Sequence, residues 1–169
     1  MPNIYFTADL HLGHHNIIKF CGRPFQWIGD MNEAIIENWN KTVHSRNDLI
    51  YVLGDFGING CRENFARLKG KKFLIKGNHD RNIVRQLPWE WVKDTEMLSI
   101  YGEQIWLSHY PHRSWKNSIH GSWHLYGHTH GKLPPYGKSF DIGVDCWQFK
   151  PVHFEEVKEN MKEIKDNRL

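Results

Sequence analysis

Cysteine is scarce and poorly spaced for structural use. Cys21, Cys61 and Cys146 form no Cys-x-x-Cys pair, so neither a disulfide framework nor a cysteine zinc site is indicated, and a reducing interior fits best. Long apolar runs are missing too, which leaves no candidate for a membrane-spanning helix. The opening Met1-Pro2-Asn3-Ile4-Tyr5-Phe6 lacks the charged start and extended apolar region of a signal peptide, so a cytoplasmic protein with no membrane partner is expected. Charge of one sign is equally absent. The net charge is only +3, and no block of lysines or arginines forms a nucleic-acid arm; nucleic acid stays open as a substrate without being implied.

What the chain does have is aromatic mass and imidazole. Its 169 residues favour a single domain, 1–169, and 40% hydrophobic with 24% charged residues is the composition of a soluble globular protein. The 8 Trp supply core or rim surface, whereas 12 His invite a search for a cluster, because imidazole is the commonest metal ligand and the usual acid or base near neutral pH.

That search leads to the ends of apolar runs. Phe73-Leu74-Ile75-Lys76 reads as a buried strand that delivers Gly77-Asn78-His79-Asp80 at its tip, where an amide, an imidazole and a carboxylate offer metal-ligand and proton-transfer capacity. Gly77 permits a sharp turn there, although Gly-Asn is also ordinary turn chemistry. Ile4 to Ala8 reads as another buried strand running into Asp9-Leu10-His11. If extended geometry persists, Asp9 and His11 share a face and converge. Leu49 to Leu53 stops on Gly54-Asp55, Gln104 to Ser108 on His109, and Trp123 to Tyr126 on Gly127-His128-Thr129-His130-Gly131.

Between these tips the pattern is that of an α/β layer. Asp30 and Glu33 have capping-box spacing, and Met31, Ala34, Ile35, Trp39 and Val43 recur at helical intervals. Asn64–Leu68 reads as a short helix, and Asn82–Leu87 as another that ends at Pro88. Strand, helix, strand, helix, strand implies parallel pairing, with functional groups gathered at the carboxyl ends of the strands. After Asp80 short strands dominate: a hairpin of Met97–Tyr101 and Gln104–Ser108 turning at Gly102-Glu103, then Trp123–Tyr126 and Phe140–Val144. Phe154, Val157, Met161 and Ile164 form an amphipathic stripe on a final helix.

The series Asp-x-His, Gly-Asp, Gly-Asn-His-Asp, a lone His and Gly-His-x-His, from Asp9 to His130, resembles the calcineurin-like metallophosphoesterase superfamily in motif content and order. The resemblance implies an α/β fold, a four-layer αββα sandwich with two mixed β-sheets. It implies hydrolysis of phosphate mono- or diesters by metal-activated water, with two divalent transition-metal ions as cofactors. One ion would be held by Asp9, His11 and His130, the second by Asn78, His109 and His128, with Asp55 between them. His79 would lie near the leaving-group oxygen and Asp80 would orient it. Imidazole, carboxylate and amide donors suit Mn, Fe, Zn, Co or Ni better than Mg or Ca, and manganese is favoured.

Two departures narrow the substrate. Protein Ser/Thr phosphatases of the superfamily continue Gly-Asp with an Asp-Arg pair, whereas Asp55 precedes Phe56-Gly57-Ile58-Asn59-Gly60, which disfavours a phosphoprotein. No large accessory domain fits in the chain, so loops must select among nucleotides, nucleic acids and small phosphodiesters. Arg23, His14, His15, His112 and Arg113 are the loop residues suspected of touching phosphate. A metal-stabilised binding module without turnover is the alternative, though structural sites are usually thiol-rich. A metallo-β-lactamase-type hydrolase is disfavoured because His128-Thr129-His130 continues into Gly131-Lys132-Leu133.

Overall fold

The structure, a computed structural model, describes residues 1–165; the last four positions of the expected 1–169 domain lie outside the described residues. In chain order it contains β1 (Ile4–Thr7), α1 (His15–Cys21), α2 (Ile28–Thr42), β2 (Leu49–Val52), α3 (Cys61–Arg67), β3 (Lys71–Ile75), α4 (Asn82–Arg85), β4 (Val92–Lys93), β5 (Thr95–Ile100), β6 (Glu103–Ser108), β7 (Trp123–Tyr126), β8 (Ser139–Asp141), β9 (Val152–His153) and α5 (Phe154–Glu163). One sheet has the order β4-β3-β2-β1-β9, parallel except for β9; the other has the order β5-β6-β7-β8, with β5 antiparallel to β6 and the rest parallel. Two mixed sheets flanked by helices make the αββα sandwich.

Strand periodicity assigns the two cores. Tyr5, Ile50, Val52 and Leu74 point outward from the first sheet onto Met31, Ile35 and Trp39 of α2 and Phe65 of α3. Their neighbours Phe6, Tyr51, Leu53 and Ile75 point the other way, onto Ile105, Leu107, Trp123 and Leu125 of the second sheet. Trp39 is fully buried with its indole N–H donating to the Lys69 carbonyl at 2.9 Å, so its one polar atom is satisfied. At one end the sheets are stitched together, since Ala8 bridges Gly143 and the Val144 N–H donates to the Ala8 carbonyl at 3.0 Å.

Local differences from the sequence expectations have physical causes. The capping box is not at Asp30 and Glu33: α2 starts at Ile28, Asp30 sits in its first turn, and Glu33 pairs with Arg67. The box instead occurs at His153 and Glu156, opening α5. The hairpin turns at Tyr101-Gly102, one residue upstream of the expected Gly102-Glu103, because both of these residues take positive φ (48° and 89°), as a two-residue turn compatible with strand twist requires. His15, taken above as a loop residue, instead opens a helix, His15–Cys21, which is closed by Gly22 in the left-handed conformation.

Candidate metal centre

The carboxyl ends of β1, β2, β3, β6 and β7 meet at the stitched end of the sandwich. Beyond β1 the backbone does not stay extended as expected: Asp9 and His11 adopt left-handed φ of 56° and 52°. Asp55, His128 and His130 do the same, at 56°, 70° and 49°. The side chains therefore converge through tight left-handed steps rather than by strand alternation. Such a conformation costs a non-glycine residue of order 1–3 kcal/mol and persists only where the surroundings enforce it. Here backbone bonds do so: Asp9 N–H donates to Gly54 O (3.0 Å), His11 N–H to Asp55 O (2.9 Å) and Leu12 N–H to Phe56 O (3.0 Å).

Gly77 is needed for close approach rather than for a sharp turn. A Cβ there would stand 2.2 Å from Asp55 Oδ1 and 2.4 Å from the Asp55 nitrogen. Asp80 completes the clamp, and its place differs from the expected orienting of His79. Its Oδ2 accepts the N–H groups of Asp55 (2.9 Å) and Gly77 (2.8 Å), and its Oδ1 accepts that of Phe56 (2.9 Å). The carboxylate is thus committed to the backbone that carries Asp55. His79 is tied in separately, its N–H donating to Asp55 Oδ1 at 2.8 Å.

Two groups of ligand-capable atoms result, Asp9, His11 and His130 in one and Asp55, His109 and His128 in the other, the atoms of each lying within 4.8 Å of one another. The groups meet at Asp55, whose Oδ2 is 3.4 Å from His11 Nε2 and 3.5 Å from His109 Nε2. Asn78 joins the second group, with Oδ1 3.0 Å from His109 Nε2. Asp9 Oδ1 and His11 Nε2 are buried with no hydrogen-bond partner, an arrangement that a native protein tolerates where something else completes it. Unpartnered carboxylate and imidazole atoms facing one point fit divalent transition metals.

The other ring nitrogens of His109, His130 and His11 are anchored, an arrangement that suits metal-binding histidines. His109 Nδ1 lies 2.8 Å from the Leu53 carbonyl, His130 Nδ1 2.8 Å from Asp145 Oδ2, and His11 Nδ1 3.1 Å from His14 Nδ1. Asp9 Oδ2 accepts the His128 N–H at 2.8 Å, which ties the two sheets' contributions together. Asp145 and Asp141 were missed by sequence reasoning because each is an isolated acid outside any motif. Asp141 accepts from Thr129 Oγ1 (2.6 Å) and from the N–H groups of Gly131 (3.0 Å) and Gly143 (2.7 Å), thereby shaping the loop that bears His128 and His130.

Electrostatically the centre is short of positive charge. Burial, with Asp141 and Asp55 nearby, pushes Asp9 up to about 7 against the pull of His109 and His130. Burial holds His11 down at about 2. Asp55 goes the other way: burial opposes its ionisation, but the hydrogen bond and charge of His109 outweigh it and hold the carboxyl at about 2. His109 is correspondingly raised to about 9, as Asp55 and Asp9 overcome the effect of burial. Divalent cations would relieve the buried carboxylates.

The suspected phosphate-contacting loop residues separate. Arg23 is buried and its guanidinium is spent: Nε and one terminal nitrogen bind Asp145 (2.9 and 2.8 Å), and the backbone carbonyls of Asp9 (2.7 Å) and Leu10 (3.0 Å) take more. It supports the site and has no donor fork left for phosphate. His14 borders the centre, its ring 5.1 Å from that of His11 and 5.4 Å from that of His79. His15 is exposed on α1. His112 Nδ1 accepts the Trp106 indole N–H at 3.1 Å, and Arg113 lies over the Tyr136 ring at 5.8 Å. Cys21 could join His130 and Asp145 in a third group, but burial pushes its thiol up and both partners are already engaged with each other.

Residues 2–150 match the family model described as calcineurin-like phosphoesterase. The uncharacterized protein MJ1445 of Methanocaldococcus jannaschii is 31% identical over 93% of this chain and 90% of its own length. The gene 66 protein of Mycobacterium phage D29 is 27% identical over 98% and 99% respectively. Among solved structures, AQ665 of Aquifex aeolicus, a protein of unknown function, superposes with a TM-score of 0.76 at 23% identity, covering 95% of this chain and all of its own (100%). A novel archaeal phosphodiesterase shares the fold at a TM-score of 0.51 and 18% identity, over 83% of this chain and 82% of its own.

Proposed function

Because the chain belongs to the calcineurin-like phosphoesterase family, we propose that it hydrolyses phosphate mono- or diesters at a two-metal centre. The observation that carries this reading is the pair of ligand groups meeting at Asp55, with Asp9 Oδ1 and His11 Nε2 buried and unpartnered. Asp9, His11 and His130 would hold one ion, His109, His128 and Asn78 the other, and Asp55 would serve both. Bound there, two ions supply charge neutralisation of phosphate oxygens and acidification of water. Manganese is the ion proposed, with Fe, Zn, Co and Ni as the alternatives that the mixed nitrogen and oxygen donors also suit.

The chain's own groups would do the rest. Leu53 O, Asp145 and His14 fix the rings of His109, His130 and His11, so the nitrogens facing the site stay in position while charge moves through it. Asp80 and Gly77 keep Asp55 between the two groups. His79, half-buried and with its ring 5.3 Å from that of His11, is the group placed to give a proton to the departing oxygen. A chelator-stripped sample reloaded with manganese and assayed on p-nitrophenyl phosphate and bis(p-nitrophenyl) phosphate tests the proposal. Manganese-dependent release of nitrophenol is expected; none from either ester rejects it.

A further inference from the structure

Beside the metal centre lies a cavity of about 400 Å³ that the reaction chemistry does not use. Residues 111–113 form one wall and 133–136 the other, over a floor of buried Tyr126 and Ser139. Both walls continue chain segments that carry ligand-capable histidines. Pro111 follows His109 by two residues and Leu133 follows His130 by three, so even a fully extended backbone keeps them within roughly 7 and 11 Å of those residues. Tyr110, about half exposed and next in sequence to Pro111, has its ring 4.7 Å from that of His128 and 5.0 Å from that of His109.

The lining offers phosphate a single cationic side chain, Arg113. Its polar atoms are mostly committed: Ser139 Oγ bonds the Tyr136 carbonyl at 2.8 Å, His112 Nδ1 accepts from Trp106, and the His112 N–H donates to His124 Nε2 at 3.0 Å. What remains is the Arg113 guanidinium over the Tyr136 ring and an apolar surface of proline rings and Leu133. Such surfaces take planar π-systems, and a guanidinium at the edge adds cation–π attraction together with affinity for a phosphodiester's charge. The volume lies in the range of small-molecule sites.

We infer that this recess takes the base of a nucleoside esterified to the phosphate at the metal centre, which makes nucleoside phosphate esters the substrate class. The inference rests on the phosphoesterase reading for the phosphate but not for the base, so the two can fail separately. Thymidine, which carries no phosphate, is titrated into the manganese-free full chain and followed by amide NMR. Shifts concentrated at residues 110–113 and 133–136 are expected, with loss of at least tenfold in affinity in Tyr136→Ala and Arg113→Ala. No shift there overturns the inference whether or not the protein is an esterase. Shifts in those residues that follow protein concentration alone overturn it in favour of a second copy of the chain.

The kinetic counterpart uses two esters with one leaving group, p-nitrophenyl thymidine 5′-phosphate and methyl p-nitrophenyl phosphate. Wild type should favour the thymidine ester in kcat/KM by about tenfold or more, through KM, and Tyr136→Ala should bring that ratio toward one. An equal ratio in wild type and variant refutes the base subsite. Absence of turnover with both esters, which are diesters, refutes diester hydrolysis alone and leaves the thymidine titration to decide the recess.

Discussion

Replacing Asp80 by asparagine separates two roles for one carboxylate. Asp80 accepts three backbone N–H groups, two on Oδ2 and one on Oδ1. An asparagine would keep its oxygen at the doubly used position and turn its NH₂ toward the Phe56 N–H, so one bond is lost and two donors face each other in a buried site. Leaving one buried donor unsatisfied costs about 1–3 kcal/mol. Taking ~2 kcal/mol, a domain of this size should melt roughly 4–8 °C lower. Asp80→Ala would strand all three donors, on the order of 6 kcal/mol, which is close to the whole stability of a typical domain and so less informative. Thermal and urea melts in chelator isolate the backbone effect from metal binding. If Asp80→Asn melts with wild type in chelator yet loses rate as His79→Ala does, the clamp is wrong and the carboxylate acts on His79.

His79→Ala should lower the rate by roughly 10²–10⁴-fold with metal content retained; loss of metal by elemental analysis would make His79 a support for the centre. Asp145→Asn removes the carboxylate partner of His130 and of Arg23, so metal affinity by titration calorimetry should fall about 10–100-fold, and unchanged affinity would refute the ring-anchoring role. His124 is buried, with Nδ1 3.1 Å from the Trp106 carbonyl and Nε2 accepting the His112 N–H; burial, and the neighbouring His112, depress it from 6.5 to about 4. The unfolded chain therefore binds a proton that the folded one refuses, and this contribution is complete above pH ~6.5 and lost as pH falls toward ~4, about 3 kcal/mol in all. Urea denaturation of wild type and His124→Gln in chelator should show that slope in wild type alone, and parallel pH curves would refute it.

The sequence by itself singled out the residues that the structure brings together as candidate ligands, because they sit at strand tips and most tips announce themselves as an apolar run stopped by glycine or an acid. Asp9, Asp55, Asn78, His109 and the His128–His130 pair were readable one at a time, and their order along the chain supplied the family resemblance. Helices with clear periodicity, such as α2, were equally legible, although α2 begins earlier than its capping signal placed it. Only the tertiary structure decided how the tips converge. Left-handed backbone at Asp9, His11, Asp55, His128 and His130 leaves no periodic trace in sequence, since it is enforced by bonds between different strand ends. It also reassigned Arg23 from substrate to scaffold and Asp80 from His79 to the backbone of Asp55, and it brought in Asp145 from 122 residues beyond Arg23. A hydrogen-bond donor is visible in a sequence; which acceptor exhausts it is settled by packing, because burial leaves each polar atom only the partners the fold has placed within reach.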